Sequence, residues 1–184
     1  RYLDLPGVCN GRLTLTSGTA VTTSDVTGAT SLYFTPYNGA KISLYDGSRW
    51  KLYNFAELSL ALGTLTSGAN YDVFLYNNAG TLTLELSSAW ASDTSRTDAI
   101  SLQDGVYLKT SNLTRRYLGT LRTTATTTTE DSYSRRFVWN MCGQVRRLLY
   151  GKIPTNSWSY ASASAWRATN ANTTDGQGRV SVVL

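Results

Sequence analysis

The stretch from Pro36 to Phe55, PYNGAKISLYDGSRWKLYNF, constrains the fold more than any other part of the chain. Apolar and polar residues alternate along both of its arms, as they do in strands that are buried on one face. Asp46 and Gly47 lie between the arms and suit the positive φ values of a tight hairpin turn. The pattern predicts a β-hairpin, and it predicts an inner face made of Ile42, Leu44, Trp50 and Leu52. An amphipathic hairpin needs a second layer to pack against, which favours a sandwich or a barrel.

Other short strands are spaced at about 8 to 12 residues with turn residues between them, as in all-β sandwiches and barrels. Residues 71–76 and 81–86 flank an Asn-Asn-Ala-Gly turn, and residues 100–109 form a third hairpin around an Asp-Gly pair. Alternation places four further residues in the core of the second hairpin: Val73, Leu82, Leu84 and Leu86. We predict an all-β fold, an antiparallel β-sandwich or barrel of about eight short strands.

The composition changes near residue 130, and this change predicts four segments. Residues 1–11 carry Pro-Gly and Asn-Gly turn signals and indicate an N-terminal arm that leads into the module at 12–130. Residues 131–156 are predicted to be a connector, either a short helix or an extended segment. Residues 157–184 are predicted to begin a second β domain. Because the chain starts at Arg1 and ends in a strand-like run, we expect a fragment of a longer protein.

The whole chain has a formal net charge of +5. Its basic residues are concentrated in the C-terminal part. They include three separate arginine pairs: Arg115 and Arg116, Arg135 and Arg136, and Arg146 and Arg147. Nucleic-acid binding needs basic groups that converge on one face, so separated pairs favour contacts with an acidic protein surface or with another subunit. We therefore predict interface roles for these arginines and no nucleic-acid partner.

Tyrosines cluster around the first hairpin and are the second set of interface candidates. One hypothesis is that Tyr33, Tyr37, Tyr45 and Tyr53 share an exposed face, on which Tyr37, Tyr45 and Tyr53 would contact a subunit or a glycan. Half-buried packing between layers or subunits is the alternative interpretation, and the favoured one.

The chain contains no histidine, which removes the most common general base and zinc ligand. Asp72 and Glu85 are the best available pair of carboxylates, and a solvated cross-strand pair explains them better than a glycosidase site. We predict no catalytic residue, no metal site and no cofactor, and therefore no enzyme. No apolar run reaches the length of about 18 residues that a membrane helix needs. Cys9 and Cys142 either form one disulfide or are buried separately as small apolar residues, and the second interpretation is favoured.

Several long strings of this chain resemble a group of tailed-bacteriophage and prophage proteins that are virion fibre or decoration components. The strings are GRLTLTSGTAVTTSDVTGATSLYFTPYNGAKISLYDG, NYDVFLYNNAGTLTLEL, DGVYLKTSNLTRRYLGTLRTT, TEDSYSRRFVWN and SWSYASASAWRATN. The resemblance covers nearly the whole chain, and its strings carry no known chemistry. Members of the group are longer, and the last string opens a further C-terminal domain in them.

The resemblance implies a structural role in the virion and a homotrimer, with other head or tail proteins as partners. A receptor- or glycan-binding module of a tail fibre, with a host surface glycan as its ligand, is the alternative function. A phage protein is made in the host cytoplasm, so the resemblance also implies that Cys9 and Cys142 are reduced. No membrane partner is expected.

Overall fold

The computed structural model describes residues 5–151 and 180–183, and all regular structure among them is β. Predictions that concern residues 1–4, 152–179 and 184, including most of the second domain, lie outside the described residues. The described strands are β1 (Gly11–Thr14), β2 (Val26–Ala29), β3 (Ser31–Pro36), β4 (Lys41–Tyr45), β5 (Trp50–Asn54), β6 (Leu58–Ala61), β7 (Asn70–Asn78), β8 (Thr81–Leu86), β9 (Ile100–Gln103), β10 (Val106–Lys109), β11 (Asn112–Ala125), β12 (Thr128–Asp131), β13 (Arg135–Arg136), β14 (Val138–Asn140) and β15 (Ser181–Val182).

The strands form one large sheet, a three-stranded sheet and a separate hairpin. The large sheet runs β15-β13-β12-β11-β10-β9, with β2, β7, β8 and β14 paired alongside this path. Strands β1, β3 and β6 make the second sheet, and β4 pairs with β5. All these pairings are antiparallel except that of β13 with β15. The predicted all-β class is therefore confirmed; the layers are those of a sandwich, and the sheet does not close into a barrel.

The main core lies between the three-stranded sheet and strand β4 on one side and strands β7, β8 and β11 on the other. Its most deeply buried side chains include Leu13, Leu32, Phe34, Ile42, Val73, Leu75, Leu118 and Leu121. The predicted core residues Val73 and Leu84 are buried, and Leu82 and Leu86 are half-buried against the same cluster. Burying apolar side chains from both layers is the main driving force for this arrangement.

The first hairpin forms as predicted, but one of its four core residues is wrong. Ile42, Leu44 and Trp50 are buried, whereas Leu52 is 47% exposed. The loop has four residues, and the register pairs Tyr45 with Trp50 and Ser43 with Leu52. Directly paired residues share a face, so Trp50 and Leu52 lie on the face opposite to Ile42. Trp50 is buried by a second small cluster with Val106 and Leu108.

Residues 131–140 continue the large sheet through β13 and β14, and residues 141–151 contain no strand. Strand β14 pairs with β11, placing Asn140 opposite Gly119 and Val138 opposite Leu121. The predicted arm is also part of the fold where it is described, because Cys9 makes a β-bridge with Ile42 and Gly11 begins β1. Strand pairing thus continues across residue 130, and the predicted division of the chain into an arm, a module, a connector and a second domain stays a prediction.

Glu57 ties the loop after β1 to strand β3. Its carboxylate accepts hydrogen bonds from Ser17 Oγ (2.5 Å), from the Gly18 backbone N–H (2.6 Å) and from Thr35 Oγ1 (2.5 Å). These donors stabilise the charged form, so they hold the pKa of Glu57 below its usual value, with Ser17 making the largest contribution.

We expect the stabilising effect of Glu57 to disappear in acid. A carboxylate whose folded-state pKa is depressed stabilises the fold above its ordinary pKa, and this effect is lost as the pH falls through the depressed value. Glu57→Gln should lower the urea midpoint at pH 7, and the gap to wild type should narrow as the pH falls through the depressed pKa of Glu57. A gap in the urea midpoint that does not change with pH would show that the charge of Glu57 contributes nothing.

Candidate functional site

The three candidate tyrosines do not share one face. Tyr45 lies on the face of Trp50, with ring centroids 5.5 Å apart, whereas Tyr53 is paired with Ile42 and packs against the main core. The Tyr53 hydroxyl accepts a hydrogen bond from Asn77 Nδ2 at 3.1 Å. Tyr37 is 38% exposed and lies outside the hairpin strands. The hypothesis of a shared exposed tyrosine face is therefore wrong, because the strand register places Tyr45 and Tyr53 on opposite faces of the hairpin. Tyr45 and Tyr53 are half-buried, in agreement with the favoured interpretation.

The carboxylates Asp72 and Glu85 are also apart. Asp72 is fully buried, where it accepts hydrogen bonds from Thr120 Oγ1 (2.7 Å) and Arg96 Nε (2.9 Å), and its burial raises its pKa. Glu85 is paired with Phe74 across the strands and binds Arg115 Nε at 3.3 Å. The predicted solvated cross-strand pair is therefore wrong, and each carboxylate has its own cationic partner.

Four of the six candidate arginines make ion pairs within the chain: Arg115, Arg135, Arg136 and Arg147. Arg115 binds Glu85 and lies 3.7 Å from the ring centre of Tyr76. Arg135 binds Glu130 at 3.2 Å with half of its side chain exposed. Arg136 binds Asp131 at 3.1 Å, and its Nε and Nη2 also donate to the Leu148 carbonyl oxygen. Their described partners are all intramolecular, so contacts of these arginines with another subunit stay a prediction.

Arg116 differs from the other five because it is an internal side chain, only 3% exposed. Its Nη1 donates hydrogen bonds to the carbonyl oxygens of Pro6 (2.9 Å), Val8 (2.9 Å) and Ser43 (2.6 Å). Burial lowers the pKa of its guanidinium to about 10, still well above neutral pH. The interface role predicted for Arg116 is wrong in this respect: its charge fastens the N-terminal segment to the centre of the sheet.

Two further links fasten the start of the chain to its later strands. Cys9 and Cys142 form a disulfide with Cα atoms 6.0 Å apart, so the favoured interpretation of two separate thiols is wrong. The Asn140 side chain accepts a hydrogen bond from the Leu13 backbone N–H (2.6 Å) and donates one to the Leu13 carbonyl oxygen (3.1 Å). We call the bonds of Arg116, the disulfide and the Asn140–Leu13 pair the N-terminal clamp.

Removing the Arg116 guanidinium should open one part of the N-terminal clamp. We expect Arg116→Met to destabilise the protein by about 3 kcal/mol, because buried carbonyl oxygens that lose their donor cost roughly 1 to 3 kcal/mol each and the methionine regains some packing. Urea unfolding measures the loss. Arg115→Met is the matched control, since Arg115 is the adjacent, partly exposed arginine, and should cost less than about 1 kcal/mol. Equal losses in the two variants would contradict the clamp.

Arg147, the second residue of the last arginine pair, lines a basic cleft that the sequence did not indicate. Arg146 is exposed, whereas Arg147 Nη1 binds Asp131 Oδ2 at 2.9 Å and its Nη2 donates to Thr22 Oγ1 at 3.1 Å. Arg136 binds the other oxygen of Asp131, and Arg12 of β1 lines the same cleft. We call the site formed by Arg12, Arg136 and Arg147 around Asp131 the arginine cleft. Strand alternation places the Arg12 side chain on the outer face of β1. The residues that bury it there, including Gly143 and Arg147, are more than a hundred positions away in the sequence.

Among residues 5–151 and 180–183, no helix has the length and apolarity needed to cross a membrane. They also contain no group of three or more His, Cys, Asp and Glu side chains arranged to hold a metal ion. No protein-family model, curated protein or solved structure matches the chain.

Proposed function

We propose that this chain is a structural module of a tailed-bacteriophage virion, a fibre or decoration component that acts as an assembly and spacer element on the head or tail. The observation that carries the proposal is the N-terminal clamp. A spacer has to keep the relative position of the parts it connects, and links between segments far apart in sequence oppose local opening of a domain. Here residues 5–13 are held by the disulfide, by hydrogen bonds from the internal Arg116 and by the buried bonds between Asn140 and Leu13.

The disulfide fits this proposal together with synthesis in the host cytoplasm. Thiols stay reduced in the cytoplasm, whereas disulfides persist on virion surfaces. We propose that Cys9 and Cys142 are reduced during assembly and that, after the particle is released, molecular oxygen in the medium accepts their two electrons and two protons as the disulfide forms. The string resemblance to phage fibre and decoration proteins gives the proposal its second support.

The proposed partners are further copies of this chain and other virion proteins. Native mass spectrometry of the purified chain at micromolar concentration tests the self-association, for which we expect a trimer. A pure monomer would contradict the trimer. It would not bear on the virion role, which a separate experiment tests.

Protein composition of the particle tests the virion role itself. Phage particles that carry this gene are purified, and their proteins are quantified by mass spectrometry after digestion. We expect peptides of this chain at a constant ratio to the major capsid protein across independent preparations. Absence of the chain from infectious, purified particles would overturn the proposal.

A further inference from the structure

The arginine cleft is an open concavity at the side of the sandwich, and none of the roles proposed above uses it. It has a volume of about 210 Å³ and lies between the C-terminal strands and β1. Besides its arginines and Asp131 it is lined by Val138, Trp139, Gln144, Val145 and Val183, among others. The cleft thus combines apolar walls with several hydrogen-bond donors, which is the usual composition of a small-ligand site.

Positive charge is in excess within the cleft. Asp131 is 6% exposed and its two oxygens are shared by Arg136 and Arg147, so one carboxylate serves two guanidinium groups. Arg12 adds a third guanidinium, and it forms no ion pair with the described residues. Three cations therefore face one anion in a partly desolvated site, and charges in such a site are stabilised only when they are paired.

Arg12 is the group that is left unsatisfied. The residue is 5% exposed, and its Nη1 donates to the Gly143 carbonyl oxygen at 2.6 Å. Its Nε is buried and has no hydrogen-bond partner among the described residues. Burial and the neighbouring charge of Arg147 both lower the pKa of Arg12, in that order of importance, while Asp131 opposes them. An unpartnered buried donor costs roughly 1 to 3 kcal/mol, so the guanidinium that Arg12 contributes to the cleft lining has less than its full set of acceptors.

We infer that the arginine cleft binds a small oxyanion, either the carboxylate of a sugar acid or free phosphate. Guanidinium groups bind planar carboxylates and phosphates through paired hydrogen bonds, so Arg12 and Arg147 supply the recognition that this chemistry needs. Trp139 and the valine side chains add an apolar wall, which a sugar ring can use and free phosphate cannot. The wall favours the sugar acid. Such a site would add ligand recognition to a module otherwise proposed as a spacer, and it does not depend on the virion role.

Calorimetric titration of the full chain with three probes tests the inference and separates the two sources. Sodium glucuronate carries the sugar ring and the carboxylate, glucose carries the neutral ring, and inorganic phosphate carries the anion alone. We expect glucuronate to bind, glucose not to bind, and phosphate to bind more weakly than glucuronate. Phosphate binding without glucuronate binding would identify free phosphate as the ligand class, provided that it depends on Arg147.

Variants of the last arginine pair decide whether the anion is in this cleft. Arg147→Gln should weaken glucuronate binding about tenfold or more, because a charge-assisted hydrogen bond is lost. Arg146→Gln is the matched control: it removes the same charge from an exposed neighbour outside the cleft and should leave affinity within about twofold. Urea unfolding of both variants confirms that each is folded, and Arg147→Lys, which keeps the charge, should recover part of the affinity. Equal binding by wild type and Arg147→Gln, equal binding of glucose and glucuronate, or no binding of either anion would overturn the inference.

Discussion

Replacing Gly119 with alanine is expected to destabilise the protein by more than about 4 kcal/mol or to prevent its folding. Gly119 lies in β11, next to a bulge, and is paired with Asn140 of β14 on one side and Val73 of β7 on the other. A Cβ atom at this position would collide with the backbone carbonyl oxygen of Trp139 and approach Leu13 Cδ1 to 2.9 Å. A backbone atom cannot move aside as a flexible side chain does, so β14 would have to separate from β11.

Urea or thermal unfolding measures this loss, and Gly7→Ala is its control. A Cβ atom on Gly7 meets nothing within 4 Å, so this variant should unfold within about 0.5 kcal/mol of wild type. The prediction is confirmed if Gly119→Ala yields no soluble protein while Gly7→Ala yields soluble protein with the unfolding stability of wild type. A Gly119→Ala protein that is within about 1 kcal/mol of wild type would show that β14 does not pack against β11 in this way.

Breaking the disulfide is expected to cost about 4 kcal/mol. Cys9 and Cys142 are 133 residues apart, and a link that closes so long a loop removes much of the conformational entropy of the unfolded chain. The prediction concerns the double variant Cys9→Ser, Cys142→Ser, compared with wild type by urea unfolding without reductant. Arg116 and Asn140 still hold the N-terminal segment in this variant, so it should remain folded in dilute buffer.

The reducing agent dithiothreitol provides the control for this comparison. It should lower the stability of the wild type to that of the double variant and leave the double variant unchanged. Thiol titration of the unfolded, unreduced wild type should find no free cysteine. Two free thiols in protein that has been exposed to air would contradict the disulfide and with it the covalent part of the N-terminal clamp.

Local patterns were enough to predict most strands and all three hairpins. The second and third hairpins have their turns at Ala79-Gly80 and Asp104-Gly105, all four with positive φ, as the turn residues indicate. In the first hairpin the face assignment was wrong for a reason that loop length does not explain, because the predicted two-residue Asp46-Gly47 turn and the observed four-residue loop both contain an even number of residues. A loop with an even number of residues pairs odd positions with even ones, so Ile42 and Leu44 cannot share a face with Trp50 and Leu52.

Strand pairing between segments far apart in sequence explains the remaining differences between the predicted and the observed structure. Residues 135–140 lack a regular alternation, and they form strands because β11 is long enough, at 14 residues, to pair with β14 beyond the end of β10. The arginine pairs were visible in the sequence, but Arg116 was not distinguishable from Arg115 until the strand direction was known. Arg12 carried no local signal, since its burial depends on Gly143 and Arg147 at the far end of the described chain.

The most direct measurement of the central proposal is a cryo-electron microscopy map of an intact particle that carries this gene. We expect density for the sandwich on the outside of the head or along the tail, in three copies around a local axis, with residues 5–13 held against β11 and β14 as in the N-terminal clamp. A map at side-chain resolution whose every protein density is accounted for by other chains would contradict the proposed virion role.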